Sequence, residues 1–381
     1  MRVLISAESF LPRSNGVTNS VLQLARFLIR NGHDVLVIAS GDGPVQVKEI
    51  RVLRVPALAL KTIAQIDIPR VKVKTLIPIL KEFKPDVIYL ASPFLLGEQV
   101  RKAGLRSQIP VIANYQTDVS GFIDFYRLNT AKSLVERRLK TIHKGSTITL
   151  APSTHSIKFL ISLGIENIRY WGRGVDLTQF NPRWRSQKLR KSWGAGSETI
   201  VIGFVGRLAP EKQVHKLASI GDVGILTGKK IIQIIVGEGP TRETLERSLP
   251  RAIFTGHLSG VELSKAIASM DLLVTTGENE TFCQVIQEAM ASGIPVIAPD
   301  AGGPKDLIIN GVDGYLYRPG ENLDIRKKVL QAIFDEAQLK SMSKAAFEKV
   351  QSKTWDVICA HLLGIFFEVI ESAKGDSVQA S

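Results

Sequence analysis

Two successive series of short apolar runs, separated by helix-like stretches, constrain the fold of this chain more than any other feature of its sequence. The first series has strand-like runs over residues 3–6, 34–38, 85–90, 110–115 and 147–150, with a helical pattern over 17–31. A strand, a helix and a second strand in that order predict a parallel sheet, because parallel strands need a crossover connection. Each run ends in polar residues, and ligands bind beyond the carboxyl ends of the strands in open parallel sheets.

A second series follows a break in this pattern. Residues 183–197 contain few aliphatic side chains and a Gly-Ala-Gly sequence, which indicates a linker with a hinge near residue 190. Beyond the linker, strand-like runs cover residues 200–205, 231–236, 252–254, 272–274 and 295–298. At 381 residues the chain is too long for one ordinary core. We therefore predict an N-terminal domain over 1–190, a C-terminal domain over 191–356, and a closing helix with a short polar tail over 357–381.

The composition is that of a globular protein, with 44% hydrophobic and 22% charged residues. The two cysteines, Cys283 and Cys359, form no disulfide framework and have no zinc-site spacing, which fits a reducing cytoplasm. The apolar run at the N-terminus is too short for a signal peptide. The longest apolar tract, residues 357–370, contains His361 and Glu368 and is shorter than a bilayer span, so no membrane-crossing segment is predicted.

The net charge of +13 is distributed unevenly along the chain. Residues 1–200 hold 30 Lys and Arg against 14 Asp and Glu, which predicts that this half faces nucleic acid or an anionic lipid surface. Basic residues mixed with aliphatic ones occur at Lys61, Arg70, Lys72, Lys74, Lys81 and Lys84, and again at Lys132, Arg137, Arg138, Lys140 and Lys144. This mixture favours docking on lipid over a merely solvated basic face. No recognition helix or aromatic-interleaved basic strand is evident, so no nucleic-acid partner is expected.

Residues 277–297 have the pattern of a loop, a helix, a stop and a strand. Apolar residues recur there at helical spacing over about three turns, namely Phe282, Val285, Ile286, Ala289 and Met290. Thr281 and Gln284 have the spacing of a capping box, so the helix is predicted to begin near Thr281. Its free N–H groups attract anions. Glu280 precedes this helix end and Glu288 lies about two turns further on, so two carboxylates border one anion-seeking site.

The spacing of Glu280 and Glu288, followed by Ala-Met-Ala-Ser-Gly-Ile-Pro-Val, resembles the C-domain signature of family 4 retaining glycosyltransferases of the GT-B fold. The resemblance implies an α/β architecture in which two Rossmann-like, doubly wound parallel-sheet domains face a central cleft. It also implies an acceptor-binding N-terminal domain, a nucleotide-sugar-binding C-terminal domain, and a terminal helix that crosses back onto the first domain. In the family the first Glu touches the donor sugar and the second holds the ribose hydroxyls. Taken alone, Glu280 could also complement the helix dipole and Glu288 could be a solvated flank residue.

Residues 203–212, Gly-Phe-Val-Gly-Arg-Leu-Ala-Pro-Glu-Lys, match the phosphate-reading segment of the family, so the resemblance assigns Arg207 and Lys212 to the donor diphosphate. An Arg fork and a Lys point charge stabilise a departing diphosphate without a metal. The sequence contains no Asp-x-Asp and no ligand-spaced histidine pair, so neither a metal nor another cofactor is expected. Residues 237–242 and 227–230 lack the full glycine patterns of a dinucleotide fingerprint and a P-loop, which argues against a dehydrogenase or an ordinary nucleoside triphosphatase.

Three segments of the predicted N-terminal domain extend the resemblance. Asn15 and Gly16 lie in the loop after the first strand, where the family uses glycine to let backbone approach the donor phosphate and the acceptor. Tyr115 and Asp118 follow a later strand. Many family members have histidine at about the place of Asp118, so its role stays open between positioning a sugar hydroxyl, assisting the acceptor hydroxyl and capping a loop. Arg173 is either a further phosphate or acceptor contact or part of a structural turn.

The combination of Tyr-Gln-Thr-Asp-Val-x-Gly-Phe, Trp-Gly-Arg-Gly-Val-Asp and Glu-Thr-Phe-Cys-Gln is similar to actinobacterial α-mannosyltransferases that build membrane glycolipids from GDP-mannose. The resemblance implies a cytoplasmic enzyme, peripherally associated with the inner face of the cell membrane, that transfers mannose to a lipid-linked acceptor. The alternatives are a UDP-sugar donor with the same fold, or a non-enzymatic nucleic-acid-binding protein. The acceptor, the linkage and the oligomeric state stay open. The resemblance places Arg207, Lys212, Glu280 and Asp118 in catalysis; Gly16, Arg173, Arg207, Lys212, Glu280, Thr281, Phe282, Cys283 and Glu288 at the donor; and Asn15, Gly16, Tyr115 and Asp118 at the acceptor.

Overall fold

The computed structural model describes residues 1–13, 15–59, 67–117 and 129–379, and the chain divides into two compact units. The first unit combines Met1–Arg173 with Trp355–Ser381, and the second unit is Gly174–Thr354. The first boundary therefore lies at residues 173–174 rather than near residue 190, and the chain returns to the first unit at Trp355.

The first unit begins with alternating strands and helices. Its strands are β1 Arg2–Ala7, β2 Asp34–Ser40, β3 Gln46–Val47, β4 Ile50–Val55, β5 Ala57–Ala59, β6 Asp67–Pro69, β7 Val87–Ala91, β8 Val111–Asn114, β9 Ile148–Ala151 and β10 Ile168–Tyr170. Its helices are α1 Gly16–Arg30, α2 Val73–Phe83, α3 Leu96–Arg106, α4 Asn129–Lys144 and α5 Thr154–Ser162. The five runs predicted as strands correspond to β1, β2, β7, β8 and β9.

In the described part of this unit, eight strands form one sheet in the order β10-β9-β8-β7-β1-β2-β4-β3, and all neighbours are parallel except β3 and β4. Strands β5 and β6 form a separate antiparallel pair. Strand β1 lies inside the sheet and is buried from its second residue onward, as expected for a parallel strand covered on both faces. The strand order reverses between β1 and β7, so the loops after these two strands lie at the switch point of the sheet.

The second unit repeats this alternation. Its strands are β11 Ile200–Val205, β12 Ile231–Val236, β13 Ile253–Gly256, β14 Leu272–Val274, β15 Val296–Pro299 and β16 Gly314–Tyr317. Its helices are α6 Gln187–Ser192, α7 Val223–Thr227, α8 Arg242–Ser248, α9 Gly260–Ala268, α10 Gln284–Ala291, α11 Pro304–Leu307, α12 Asn322–Phe334 and α13 Glu336–Val350, with 3₁₀ segments Pro182–Trp184, Pro210–Lys212 and Val214–Ile220. The parallel sheet has the order β13-β12-β11-β14-β15-β16. This is the Rossmann order, with its switch point between β11 and β14.

The segment predicted as a linker is folded into the second unit. Arg185 and Arg190 both pair with the carboxylate of Asp271, at 2.6 and 2.9 Å. Arg190 is buried and also donates to the backbone carbonyls of Ser269 and Thr199. The linker prediction was therefore wrong, because arginines that look like solvent-exposed residues in the sequence hold this segment against the second sheet.

The observed boundary also changes the net charge of each unit from the one predicted. The first unit holds 26 Lys and Arg against 16 Asp and Glu, and the second unit holds 23 against 20. The basic excess is larger in the first unit but does not belong to it alone, because residues 174–200 carry five Lys and Arg into the second unit.

The last helix, α14 Trp355–Gln379, packs on the first unit. The indole Nε1 of Trp171 donates to the carbonyl of Ile358 at 3.0 Å, and Cys359 and Phe366 are buried in the same core as β1. The longest apolar tract of the sequence is therefore a core-packing helix. Across the ranges that the structure describes, no helix has the length and hydropathy needed to cross a bilayer.

A buried histidine makes the stability of the first unit depend on pH. His143 on α4 is 2% exposed, its Nδ1 lies 3.2 Å from Thr149 Oγ1, and its ring packs edge-on against Tyr115. Burial lowers the pKa of His143 to about 3. Below the ordinary histidine pKa of about 6.5, the unfolded chain therefore binds a proton that the folded chain does not, and stability falls as the pH falls.

We expect the free energy of unfolding of the wild type to fall by about 2 kcal/mol more than that of His143→Gln between about pH 7.5 and about pH 5. Urea titrations at the two pH values measure this difference. His361→Gln replaces an exposed histidine of α14 and should follow the wild type. The same pH dependence in the wild type and in His143→Gln would contradict the prediction.

Candidate active site

The loops after β11 and β14 meet at the switch point of the second unit. The loop after β11 passes through Arg207 into the 3₁₀ segment that ends at Lys212, and the loop after β14 covers residues 275–283. The ammonium group of Lys212 pairs directly with a carboxylate oxygen of Glu280, and both side chains are partly exposed. An anionic ligand can therefore compete for the lysine, and a ligand hydroxyl can donate to the glutamate.

The charge of Lys212 is stabilised by its surroundings. Burial disfavours the ammonium form, but the Glu280 carboxylate, together with Cys283 and Glu211, outweighs this effect and raises the pKa of Lys212 above its ordinary value. Arg207 pairs with Glu211, four residues further along the loop, and about half of its side chain is exposed. Two cations are thus available on one loop, and one of them is protonated throughout the neutral pH range.

The helix after the second loop begins at Gln284, three residues later than the capping box predicts. Cys283 precedes it in a left-handed conformation with φ +71°, and no side chain caps the helix. The side-chain amide of Gln284, which the capping box would have used, instead donates to the backbone carbonyl of Gly174 at 2.8 Å. The capping-box prediction was therefore wrong, and α10 has eight residues, or about two turns rather than three.

Two glycines after β15 fix the backbone on which Glu280 lies. The N–H of Gly303 donates to the carbonyl of Glu280 at 2.7 Å. A Cβ atom on Gly303 would lie 2.5 Å from both the Thr281 carbonyl oxygen and Phe282 Cα, and one on Gly302 would lie 2.6 Å from the Glu280 carbonyl oxygen. Neither glycine was predicted from the sequence to belong to the site. A Gly-Gly pair two residues after the end of an apolar run is the signal that could have found them, because glycine permits close backbone approach.

A second pair of glycines supports the loop that carries Arg207. A Cβ atom on Gly237 would lie 1.9 Å from the Gly206 carbonyl oxygen, and one on Gly239 would lie 2.2 Å from the Leu208 carbonyl oxygen. In the sequence alone, this segment resembles only an incomplete dinucleotide fingerprint. In the structure these glycines allow the loop after β12 to pack directly on the loop after β11.

The remaining predicted donor residues of this unit lie around the same loop. Burial and the Glu280 carboxylate raise the pKa of the Cys283 thiol, and the charges of Lys212 and Glu288 act on the same thiol. Thr281 and Glu288 are partly exposed, whereas Phe282 is buried in the core. The structure therefore brings Lys212, Glu280, Cys283 and Glu288 together, and the donor contacts predicted for the backbone amides after Glu280, that of Phe282 included, stay predictions.

In the first unit, Arg173 lies beside the N-terminal end of α1. Asn15 caps this helix by accepting from two backbone N–H groups of the first turn. A Cβ atom on Gly16 would lie 2.5 Å from Arg173 Nη1, so only glycine leaves room for the guanidinium at this position. Arg173 is buried and its Nη2 donates to Gln116 Oε1 at 3.0 Å. A helix N-terminus next to a guanidinium is positively polarised, and the predicted ligand contacts of Asn15, Gly16 and Arg173 stay predictions.

The two other predicted acceptor residues have different outcomes. Tyr115 is 3% exposed, and its ring packs against His143 and Phe159. The predicted acceptor contact of this side chain does not fit its position in the core. Asp118 lies outside the described residues, so its role in catalysis or acceptor binding stays a prediction.

Comparison with known proteins identifies the family of this chain. Residues 185–349 match the family model described as glycosyl transferases group 1, and residues 14–179 match that of glycosyltransferase family 4. A GDP-mannose-dependent alpha-mannosyltransferase from Corynebacterium glutamicum is 45% identical to this chain, over 97% of the chain and 89% of the relative. The chain belongs to the family 4 glycosyltransferases. Another family member of the same name, from Mycolicibacterium smegmatis, is 43% identical over 97% of this chain and 98% of its own.

A solved structure gives the fold of this glycosyltransferase. The crystal structure of Anabaena HepE in complex with UDP and glucose has a TM-score of 0.76 at 21% identity, and the match covers 97% of this chain and 100% of that chain. The glycosyltransferase therefore has the GT-B fold with two Rossmann-like sheets. This confirms the family and the fold predicted from the Glu280 and Glu288 spacing, whereas the roles of the individual residues stay predictions.

Proposed function

We propose that this glycosyltransferase transfers mannose from GDP-mannose to a hydroxyl group of a lipid-linked acceptor, with retention of the anomeric configuration. The observation that carries the proposal is the Lys212–Glu280 pair at the switch point of the second unit, with Arg207 on the same loop. The identity of the donor is supported by two relatives named GDP-mannose-dependent alpha-mannosyltransferase, which match nearly the whole chain.

The charges of the site suit the departure of a diphosphate. As the bond between the anomeric carbon and the diphosphate oxygen breaks, negative charge develops on GDP, and Lys212 and Arg207 stabilise it without a metal. Glu280 accepts hydrogen bonds from mannose hydroxyls, and Glu288 accepts them from the ribose. The acceptor oxygen attacks on the face that the diphosphate leaves, and its proton passes to the diphosphate. The products are GDP and the mannosylated acceptor, and no sugar becomes attached to the enzyme.

Transfer assays with purified protein test this proposal. GDP-mannose and UDP-glucose are supplied in parallel with an anionic lipid extract as the source of acceptor and EDTA to remove divalent metals. We expect mannose and not glucose in the lipid fraction, with the α configuration in the NMR spectrum of the product. Glucose transfer alone would overturn the donor assignment, and a requirement for added Mg²⁺ or Mn²⁺ would overturn the metal-free mechanism. No transfer from either donor together with no binding of GDP would overturn the proposal as a whole.

The exposed face of α4 fits the membrane contact that a lipid-linked acceptor requires. Arg137, Lys140 and Lys144 follow one another on this face and line a common surface depression. Leu134 on the same helix is 69% exposed, so an apolar side chain accompanies the three cations. Basic and apolar side chains on one helix are typical of docking on an anionic lipid surface.

The structure separates these three cations from two others predicted to act with them. The Nε of Arg138 donates to the carbonyl of Phe94 at 2.7 Å, and the guanidinium lies over the Phe94 ring. Lys132 lies 4.0 Å from the carboxylate of Glu136. Arg138 is therefore held against the protein, and Lys132 is partly neutralised. Lys61 lies outside the described residues.

We expect the triple substitution Arg137→Gln, Lys140→Gln and Lys144→Gln to weaken binding to phosphatidylglycerol vesicles by about 100-fold, because each cation contributes about 1 kcal/mol near an anionic surface. Sedimentation with vesicles measures the binding, and neutral phosphatidylcholine vesicles give the background. The control replaces Lys340, Lys344 and Lys353 by glutamine, which removes the same charge from exposed positions of the second unit. An equal loss in both triple variants would show that net charge, not the face of α4, determines binding.

A further inference from the structure

A second lysine–glutamate pair lies beside the pair formed by Lys212 and Glu280. The ammonium group of Lys216 pairs with a carboxylate oxygen of Glu278, and the Lys216 side chain is only 8% exposed. The two lysines are four residues apart, on consecutive 3₁₀ segments, and both reach the loop after β14. Between them Gln213 has a left-handed backbone with φ +51°, which turns the chain from one segment into the next.

Glu278 connects three parts of the second unit. Besides Lys216, its Oε1 accepts from the backbone N–H of Gly320 at 3.0 Å, and its carboxylate also accepts from the side chain of Gln213. Burial disfavours the charged carboxylate, but the charge of Lys216 and the hydrogen bonds from Lys216, Gly320 and Gln213 together outweigh this effect and lower the pKa of Glu278. The carboxylate is therefore ionised at neutral pH and holds all three partners.

Besides these ion pairs, hydrogen bonds to backbone groups hold the loop after β14, among them one from the N–H of Thr275 to the carbonyl of Ile297 at 2.9 Å. Thr276 Oγ1 donates to the backbone carbonyl of Lys212 at 2.6 Å. The backbone carbonyl of Glu280 accepts from the N–H of Gly303. The lysine of the first pair is more exposed than the lysine of the second: 27% of the Lys212 side chain is accessible, against 8% of the Lys216 side chain. An incoming anion therefore reaches Lys212 more readily than Lys216.

We propose that Lys216 and Glu278 are positioning residues, which hold the loop in place when the donor diphosphate draws Lys212 away from Glu280. This inference rests on the proposed function, in which Lys212 binds the diphosphate and Glu280 binds the sugar. Once Lys212 has moved, the loop loses one of its side-chain connections. The buried pair remains, so Glu280 keeps its place and its carboxylate becomes free to accept from the sugar hydroxyls.

Kinetics of Lys216→Met and Glu278→Gln provide the first test, because each substitution leaves a partly buried charge without its partner. We expect kcat for mannosyl transfer to fall by about 100-fold, since a displacement of about 1 Å at a reacting group has this effect. The dissociation constant of GDP should change by less than about threefold, because Lys212 still binds the diphosphate. Lys265→Met removes the same charge from an exposed pair with Glu262 in the same unit, and should behave as the wild type.

The two cysteines provide a readout that does not depend on activity. Cys283 is buried at the end of the loop, and Cys359 is buried in the first unit. In Lys216→Met we expect N-ethylmaleimide to alkylate Cys283 at least about tenfold faster, because the loop opens locally more often. The rate at Cys359 should not change, and peptide mass spectrometry separates the two sites. If both rates rise because Lys216→Met folds poorly, the nearly isosteric Glu278→Gln, which also removes the ion pair, replaces it in the same comparison.

The outcomes decide between positioning, direct donor binding and a purely structural role. Wild-type kcat and wild-type labelling of Cys283 in both variants would overturn the proposal. A higher KM with unchanged kcat would also overturn it, because Lys216 would then bind the donor rather than position the loop. Lack of mannosyl transfer by the wild type would count against the proposed function alone, since the labelling of Cys283 still reports whether the pair holds the loop.

Discussion

Lys212→Met will lower kcat for mannosyl transfer by about 100- to 1,000-fold, the usual effect of removing one group that stabilises charge in a transition state. Methionine keeps the length and the apolar stem of lysine but removes the ammonium that pairs with Glu280. The departing diphosphate then loses a point charge, and Glu280 is left without the partner that it has in this structure. Initial rates at saturating GDP-mannose and lipid acceptor measure the effect.

The double variant with Glu280→Gln shows whether the two residues act as one unit. We expect the loss in the double variant to be much smaller than the product of the two single losses, because each single substitution already disrupts the pair. Lys344→Met is the control, since it removes an exposed lysine from α13. Fully additive effects would mean that Lys212 and Glu280 contribute independently, and a wild-type rate in Lys212→Met would remove this lysine from the proposed mechanism.

Gly303→Ala will also inactivate the enzyme, although residue 303 has no functional side chain. Its backbone is in the ordinary helical region, at φ −67°, so alanine is not strained by its own conformation. The added methyl would instead lie 2.5 Å from backbone atoms of Thr281 and Phe282, on the segment that follows Glu280. We expect kcat to fall by about 100-fold and the free energy of unfolding to fall by about 1–3 kcal/mol, as for other overpacked sites.

A glycine elsewhere in the same unit gives the matched control. A Cβ atom on Gly196 would meet only Thr199 Oγ1, at 3.9 Å, which is an ordinary contact. Gly196→Ala should therefore keep the wild-type rate and the wild-type stability to within about 1 kcal/mol. Activity assays and urea titrations on both variants provide the comparison. If Gly303→Ala were as active as Gly196→Ala, the close contact with residues 280–282 would have no part in holding Glu280.

The order of strands and helices could be predicted from the sequence because it depends on local patterns. The runs that became β1, β11 and β12 consist almost entirely of apolar residues, as expected for strands buried on both faces of a parallel sheet. Strands that are short or contain polar residues were not predicted, because they have no uninterrupted apolar run. The run Ile168–Tyr170 is mostly exposed at the sheet edge, and Ile50–Val55 is interrupted by two arginines.

The candidate site was predictable only where a motif carried it. Glu280, Glu288, Arg207 and Lys212 were found because their spacing resembles a known family. Lys216 and Glu278 were missed because their partnership joins residues 62 positions apart, and neither residue belongs to a local pattern. Tyr115 was assigned to an acceptor because it follows a strand, but packing against His143 and Phe159 turns its ring into the core.

The sequence by itself determined the two parallel sheets, the family and the loop that carries Glu280, because apolar periodicity and motif spacing are written in consecutive residues. Only the tertiary structure decided where α10 begins, where the units divide, and which of the basic residues on α4 are exposed. Each of these depends on contacts between distant segments. Gly303 fixes the backbone before Cys283, Asp271 holds the supposed linker, and Phe94 binds Arg138. Such contacts override local propensity, because a buried charge or an overpacked backbone costs more than a local preference contributes.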